Sequence, residues 1–166
     1  MIVLVGFMGA GKTTVGQLLA ERLQLPFTDT DAVCEQRAGR PVGDVFATEG
    51  EEAFRDLEQR AVADVLAGPE AVVALGGGAC GRPATREVLA AHTVVHLRVG
   101  FEEVLRRIGG DPLRPLLHRP GLRELHAGRA AVYESVASLT VDVDGRSPEE
   151  VADEVLARRL GATAAG

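Results

Sequence analysis

Lysine is all but missing from this sequence: of 18 basic residues, Lys12 alone is lysine and the rest are arginine. Long apolar runs are missing too. No stretch approaches the roughly 18 to 20 residues needed to cross a bilayer, which excludes a spanning role and leaves no membrane partner. Cysteine is scarce, and Cys34 and Cys80 have neither CxxC nor metal-ligand spacing. His92, His96, His118 and His126 make no ligand pattern with them, so a disulfide framework and a Cys/His metal site are both excluded. Free thiols in a reducing cytoplasm are expected. The sequence opens on a strand pattern rather than on a signal peptide, which fits the same compartment. The formal net charge of −6 argues against nucleic acid or an anionic membrane surface as partner. Neither repeats nor a linker interrupt the chain. Its 166 residues, 46% of them hydrophobic, suffice for one core but hardly two, so a single domain and a monomer are expected.

What is present begins with the solitary lysine. Gly6-Phe7-Met8-Gly9-Ala10-Gly11-Lys12-Thr13 is a full match to the G-x-x-x-x-G-K-[ST] phosphate loop. Glycines let successive backbone N–H groups turn inward around an anion, the following helix adds its dipole, and the Thr13 hydroxyl can hold Mg²⁺. A flexible ammonium reaches between phosphates where a planar guanidinium fits poorly. The surroundings agree: Ile2-Val3-Leu4-Val5 is a buried-strand pattern, and Val15, Leu18, Leu19 and Leu23 recur at helical spacing. The chain is expected to bind ATP or GTP.

Strand and helix patterns then alternate. A helix is expected over 51–66, a strand over 71–75 ending in Gly76-Gly77-Gly78, a helix over 82–91, a strand over 93–97 and a helix over 101–108. Beyond a break at Gly109-Gly110-Asp111-Pro112 come a mobile, proline-containing segment, a helix over 124–136 and a strand over 139–143. A capping box at Ser147-Pro148-Glu149-Glu150 opens a final helix reaching Leu160, and residues 161–166 are expected to fray. Such alternation predicts an α/β fold, a parallel sheet with helices on both faces.

Three constellations narrow the chemistry. Thr28-Asp29-Thr30-Asp31 follows the apolar Leu25-Pro26-Phe27, which places Asp29 and Asp31 at the C-terminal end of the second strand, where doubly wound sheets bind ligands. On an extended chain, alternate residues share a side. Asp29 is then suited to the Mg²⁺ shell and Asp31 to an acceptor hydroxyl; the plainer alternative is a solvated turn capping the next helix. The three glycines at 76–78 allow a ligand to approach the main chain, or simply make a sharp turn. Arg55, Arg114 and Arg129 are each able to grip a carboxylate or phosphate, or to serve as surface ion pairs. Residues 98–129 concentrate seven arginines (Arg98, Arg106, Arg107, Arg114, Arg119, Arg123 and Arg129) against four acids, either a local phosphate-binding surface or a solvated charged face.

The ordered set of these pieces resembles shikimate kinase across roughly residues 1 to 160. It comprises the phosphate loop with Thr14, Thr28–Asp31, Phe46-Ala47-Thr48-Glu49-Gly50-Glu51 leading to Phe54, Arg55 and Glu58, Gly76–Ala79, Arg114-Pro115-Leu116-Leu117, and Arg129 with Tyr133. The resemblance implies phosphorylation of the 3-hydroxyl of shikimate by MgATP on a nucleoside-monophosphate-kinase-like fold. Gly9, Ala10, Gly11, Lys12, Thr13 and Thr14 would surround the phosphates, Thr13 and Asp29 the Mg²⁺. Arg107 and Pro148 would sandwich adenine, with Arg146 also on the nucleotide side. Asp31 would face the ring hydroxyls as base, and Arg55 and Arg129 would clamp the carboxylate. The backbone of Gly76, Gly77 and Gly78 would add hydrogen bonds, and Phe46 and Phe54 would wall the ring. Arg114 would descend with a lid over about 109–124. One departure concerns that lid: fourteen residues separate Arg114 from Arg129, a few fewer than is usual in the family. A gluconate-type sugar-acid kinase, a nucleoside monophosphate kinase and a non-catalytic nucleotide-binding module are the competing assignments.

Overall fold

The structure is a computed structural model and describes residues 1–108 and 121–163. Five parallel strands form one sheet in the order β2-β3-β1-β4-β5: β1 Ile2–Val5, β2 Phe27–Asp29, β3 Val72–Ala74, β4 Thr93–Arg98 and β5 Leu139–Asp142. Among the described residues seven α-helices connect and cover them: α1 Lys12–Leu23, α2 Thr30–Ala38, α3 Val42–Leu66, α4 Pro83–Leu89, α5 Phe101–Ile108, α6 Leu122–Val136 and α7 Pro148–Thr163. The β-branched and aliphatic composition of the central strands follows from burial on both faces; every residue of β1 is 0–1% exposed. Helix α1 packs on α7, and α3 packs on both α2 and α4.

Topology decides where a ligand can sit. After β1 the chain moves outward to β2 at one edge, returns to β3 beside β1, and then crosses to β4 on the other flank. The order therefore reverses around β1, and loops leaving the C-terminal ends of β1 and β3 open a crevice there. The phosphate loop follows β1 and the glycine turn follows β3.

Several expected boundaries shift, for local reasons. The strand at 71–75 narrows to Val72–Ala74, and the one at 139–143 ends at Asp142. The helix expected from Glu51 belongs to α3, which starts at Val42 and is broken at Gly50 (φ 86°, ψ 171°); residues 51–66 are the expected segment and 42–49 an additional one. The expected helix at 82–91 is Pro83–Leu89. Helix α6 starts at Leu122, capped by Gly121 in the left-handed region, so residues 122–124 are helix rather than the end of a lid. Residues 161–163 likewise continue α7, and the rest of the expected tail lies outside the described residues. The capping box is formed: the Ser147 N–H donates to Glu150 Oε2 at 2.8 Å and the Glu150 N–H to Ser147 Oγ at 3.2 Å. Among the described residues no helix is long and apolar enough to cross a membrane.

Both cysteines are free and buried. Burial, followed by the Glu58 charge, pushes the Cys34 thiol to about 11 and that of Cys80 to about 12. Reactivity requires thiolate and access, so a thiol-specific disulfide reagent should titrate neither in the native protein and both after unfolding; rapid native modification of one would show that its surroundings open.

Candidate active site

The phosphate loop has three glycines at positive φ, Gly6 at 153°, Gly9 at 80° and Gly11 at 87°, and Gly11 caps α1. The Lys12 ammonium donates back to the carbonyls of Gly6 at 2.8 Å and Phe7 at 3.3 Å. Arg107, from the last turn of α5, reaches across to the Gly9 carbonyl at 3.0 Å and the Val143 carbonyl at 2.8 Å, while Glu103 holds its Nε at 2.6 Å. It therefore ties the loop to the segment entering α7. Arg146 and Pro148 lie at that entry, where Arg146 is paired with Glu154 at 2.6 Å and bonded to the carbonyls of Asp142 and Glu150.

Asp29 and Asp31 correct one expectation. Strand β2 ends at Asp29, and Asp31 stands in the first turn of α2, so the two carboxylates do not share a side through strand alternation. Asp29 caps the helix, its Oδ1 accepting the Asp31 N–H at 3.0 Å, as the plainer alternative anticipated. It also approaches the nucleotide side, because Oδ2 accepts the Thr13 hydroxyl at 3.0 Å. Asp31 is exposed and stands beside Gly76, at the start of the glycine turn. Partial withdrawal from water, followed by the Asp29 charge, raises its carboxyl above the ordinary 3.8, while Lys12 and Arg55 pull it down. Its exposed side limits the rise through screening.

The glycine turn is crowded by these groups. A Cβ on Gly76 would overlap Asp31 Oδ1 and stand 2.6 Å from Glu58 Oε1, and one on Gly78 would overlap the Arg55 guanidinium. A side chain at either position would push these groups aside. The buried hydroxyl of Thr30 accepts the Gly76 N–H at 3.0 Å, fastening the turn to α2.

Arg55 projects from α3 and is bonded to Glu58 at 2.6 Å, one turn later on the same helix. Glu58 is 2% exposed. Burial raises its carboxyl above the ordinary 4.5 and the neighbouring Asp31 charge adds to this, against the hydrogen bond and charge of Arg55. Phe46 and Phe54, 4.6 Å apart across the break in α3, lie 5.6 and 5.4 Å from the Arg55 guanidinium carbon. Arg129 comes from α6, over the Phe7 ring at 5.6 Å, and among the described residues it makes no ion pair. Between the two arginines is a cleft of about 210 Å³, lined also by Gly77, Gly78 and Tyr133. Phe46 and Phe54 do not line it; they pack with Arg55.

The structure thus brings together Lys12, Thr13, Asp29, Asp31, Arg55, Gly76, Gly77, Gly78 and Arg129 around the end of β1 and β3, with Arg107 and Arg146 on the α7 side. Arg114 and the expected lid at 109–120 lie outside the described residues. The charged-face alternative holds for much of the arginine run. Arg98 pairs with Asp142, Arg106 with Glu103 and Arg123 with Glu102. Two participants were not singled out as site residues: Glu58, detectable as an acid within an otherwise apolar helix stripe, and Tyr133, one helical turn beyond Arg129. His126 bonds the Val99 carbonyl at 2.8 Å and packs edge-on against Phe7, while His96 is buried in β4; both have packing roles.

Known proteins are similar to this chain over nearly its whole length. The family model for shikimate kinase matches residues 8–159. A shikimate kinase from Thermobifida fusca is 50% identical over 165 residues, covering 98% of this chain and 95% of that protein. The structure of shikimate kinase from Acinetobacter baumannii in complex with shikimate superposes with a TM-score of 0.91 at 36% identity, over 97% of this chain and 93% of that one. That from Aquifex aeolicus gives 0.89 at 33% identity, with 99% of each chain covered. With a nucleotide loop, two convergent arginines and a glycine turn in one cleft, and with matches of this extent, the chain belongs to the shikimate kinase family.

Proposed function

We propose that this protein transfers the γ-phosphoryl group of ATP to the 3-hydroxyl of shikimate, giving ADP and shikimate 3-phosphate, in the cleft between the phosphate loop and the glycine turn. The observation that carries this assignment is the convergence of Arg55 and Arg129 on one cleft lined by the glycine turn, with Asp31 beside Gly76 of the same turn. Phosphoryl transfer depends on alignment and charge stabilisation more than on covalent participation. Lys12 and the N–H groups of the loop supply the charge. Arg55 and Arg129 bind the acceptor carboxylate, which turns the ring so that its hydroxyl meets Asp31. The Asp31 carboxylate accepts the hydroxyl proton as the phosphoryl group transfers. Arg107 and Pro148 flank adenine, and Arg114 closes over the phosphates from the lid.

The Thr13 hydroxyl and Asp29 carboxylate, 3.0 Å apart, are hard oxygen donors that suit Mg²⁺. Bound there, Mg²⁺ would neutralise charge on the β- and γ-phosphates. The protein is taken to act as a cytoplasmic monomer.

A coupled ADP-release assay tests the substrate. Shikimate should be turned over, gluconate and nucleoside monophosphates scarcely; equal turnover of gluconate would overturn the acceptor while leaving the kinase intact.

Asp31 makes a separate prediction. A base must be ionised, so kcat/KM for shikimate should fall as pH drops through a value above 3.8, the direction of the Asp31 shift. Asp31→Asn should lower kcat by about 10²- to 10⁴-fold, the usual contribution of a positioned base. A variant with near-normal kcat but raised KM would reduce Asp31 to a binding group.

A further inference from the structure

Tyr133 is the only tyrosine in the chain. It is 2% exposed, and its hydroxyl donates to the Gly77 carbonyl. Burial pushes the phenol above its ordinary 10, so it stays a donor throughout the working range. A buried phenol needs a partner, and this one finds it in the turn that lines the acceptor cleft.

The choice of partner matters because of what the turn is made of. Glycine peptides have no Cβ to restrain them and lose the most freedom on ordering. A peptide unit is planar, however, and the chain has no cis bonds among the described residues. Fixing the Gly77 carbonyl therefore fixes the Gly78 N–H on the opposite side of the same plane. Within the protein, among the described residues, neither the Gly77 nor the Gly78 N–H is donated to another backbone carbonyl. The same contact sets the position of α6. Arg129 lies one turn before Tyr133, with its Nη1 3.5 Å from where a Gly77 Cβ would stand. One hydroxyl thus ties the helix bearing Arg129 to the turn that lies beneath Arg55.

We infer that Tyr133 is a positioning residue for the acceptor: its hydroxyl locks the Gly77–Gly78 peptide so that the Gly78 N–H is presented to the substrate, and it sets Arg129 at the working distance from that turn. The inference rests on the acceptor site proposed above. Tyr133→Phe deletes the hydroxyl alone. The KM for shikimate should rise about 2- to 12-fold, the equivalent of one neutral hydrogen bond, while kcat and the KM for ATP change less than about twofold. In ¹⁵N-glycine-labelled free protein the Gly78 amide resonance should move and broaden in the variant as the peptide loses its fixed orientation. A lowered Tm with wild-type kinetics would overturn the inference, as would equal rises in both KM values or an unmoved Gly78 resonance. Wild-type turnover separates the two levels: no phosphorylation of shikimate sinks the acceptor site, whereas normal wild-type turnover with an unmoved KM in Tyr133→Phe sinks the positioning role alone.

Discussion

Lys12→Ala is expected to lower kcat by about 10²- to 10³-fold, the loss seen when one preorganised donor facing developing charge is removed from a dehydrated site. The ammonium is held within the loop, bonded to the Gly6 and Phe7 carbonyls at 2.8 and 3.3 Å. Lys12→Arg should not restore the rate, because a planar fork cannot enter the turn that Gly9 and Gly11 make at positive φ. Steady-state ADP release with saturating shikimate gives kcat, and calorimetric titration with ATP gives affinity. A large loss of ATP affinity with intact kcat would place Lys12 in ground-state binding only.

How far these roles were legible in the sequence depended on whether a residue obeyed a period or broke one. Ile2–Val5 and Phe101–Ile108 were found with their observed boundaries, because apolar spacing and flanking glycines both mark their ends. The phosphate loop was legible through fixed spacing alone. Thr28–Asp31 has no apolar period, and the same polar residues serve an extended chain or a helix cap. Continuing the strand through Asp31 therefore missed the start of α2. The first part of α3 escaped for a related reason: Gly43 and Gly50 depress helix propensity, and packing of Val45 against the buried Cys34, Phe54 and Ala61 supplies what propensity does not. Glu58 stands four residues after Phe54 on the buried face. An acid within an apolar stripe is itself a signal, and its partner three residues earlier, Arg55, completes it. No one-dimensional pattern connects Tyr133 to Gly77, 56 positions away.

The buried pair changes what mutation of the carboxylate clamp must show. Arg129 makes no ion pair among the described residues, so Arg129→Ala should remove little but its proposed bond to the substrate carboxylate, costing about 1.5 to 3 kcal/mol or 10- to 150-fold in specificity. Arg55→Ala does two things. It removes a proposed ligand of the substrate carboxylate, and it leaves Glu58, 2% exposed and beside Asp31, without the guanidinium that offsets its burial. Breaking one side of such a pair costs about 3 to 5 kcal/mol of stability, so Arg55→Ala should melt well below wild type while Arg129→Ala melts near it. Arg55→Lys should rescue neither function fully, since an ammonium cannot make the bidentate contact. The two effects separate in Arg55→Ala combined with Glu58→Gln, which removes the stranded charge. The double variant should regain much of the lost Tm, yet still fail to distinguish shikimate from an analogue bearing a neutral hydroxymethyl group in place of the carboxylate. Wild type should discriminate strongly between those two ligands, and Arg129→Ala much less. If the double variant recovered the wild-type preference along with its stability, Arg55 would act only by neutralising Glu58, and the carboxylate would have to be held by Arg129 without it.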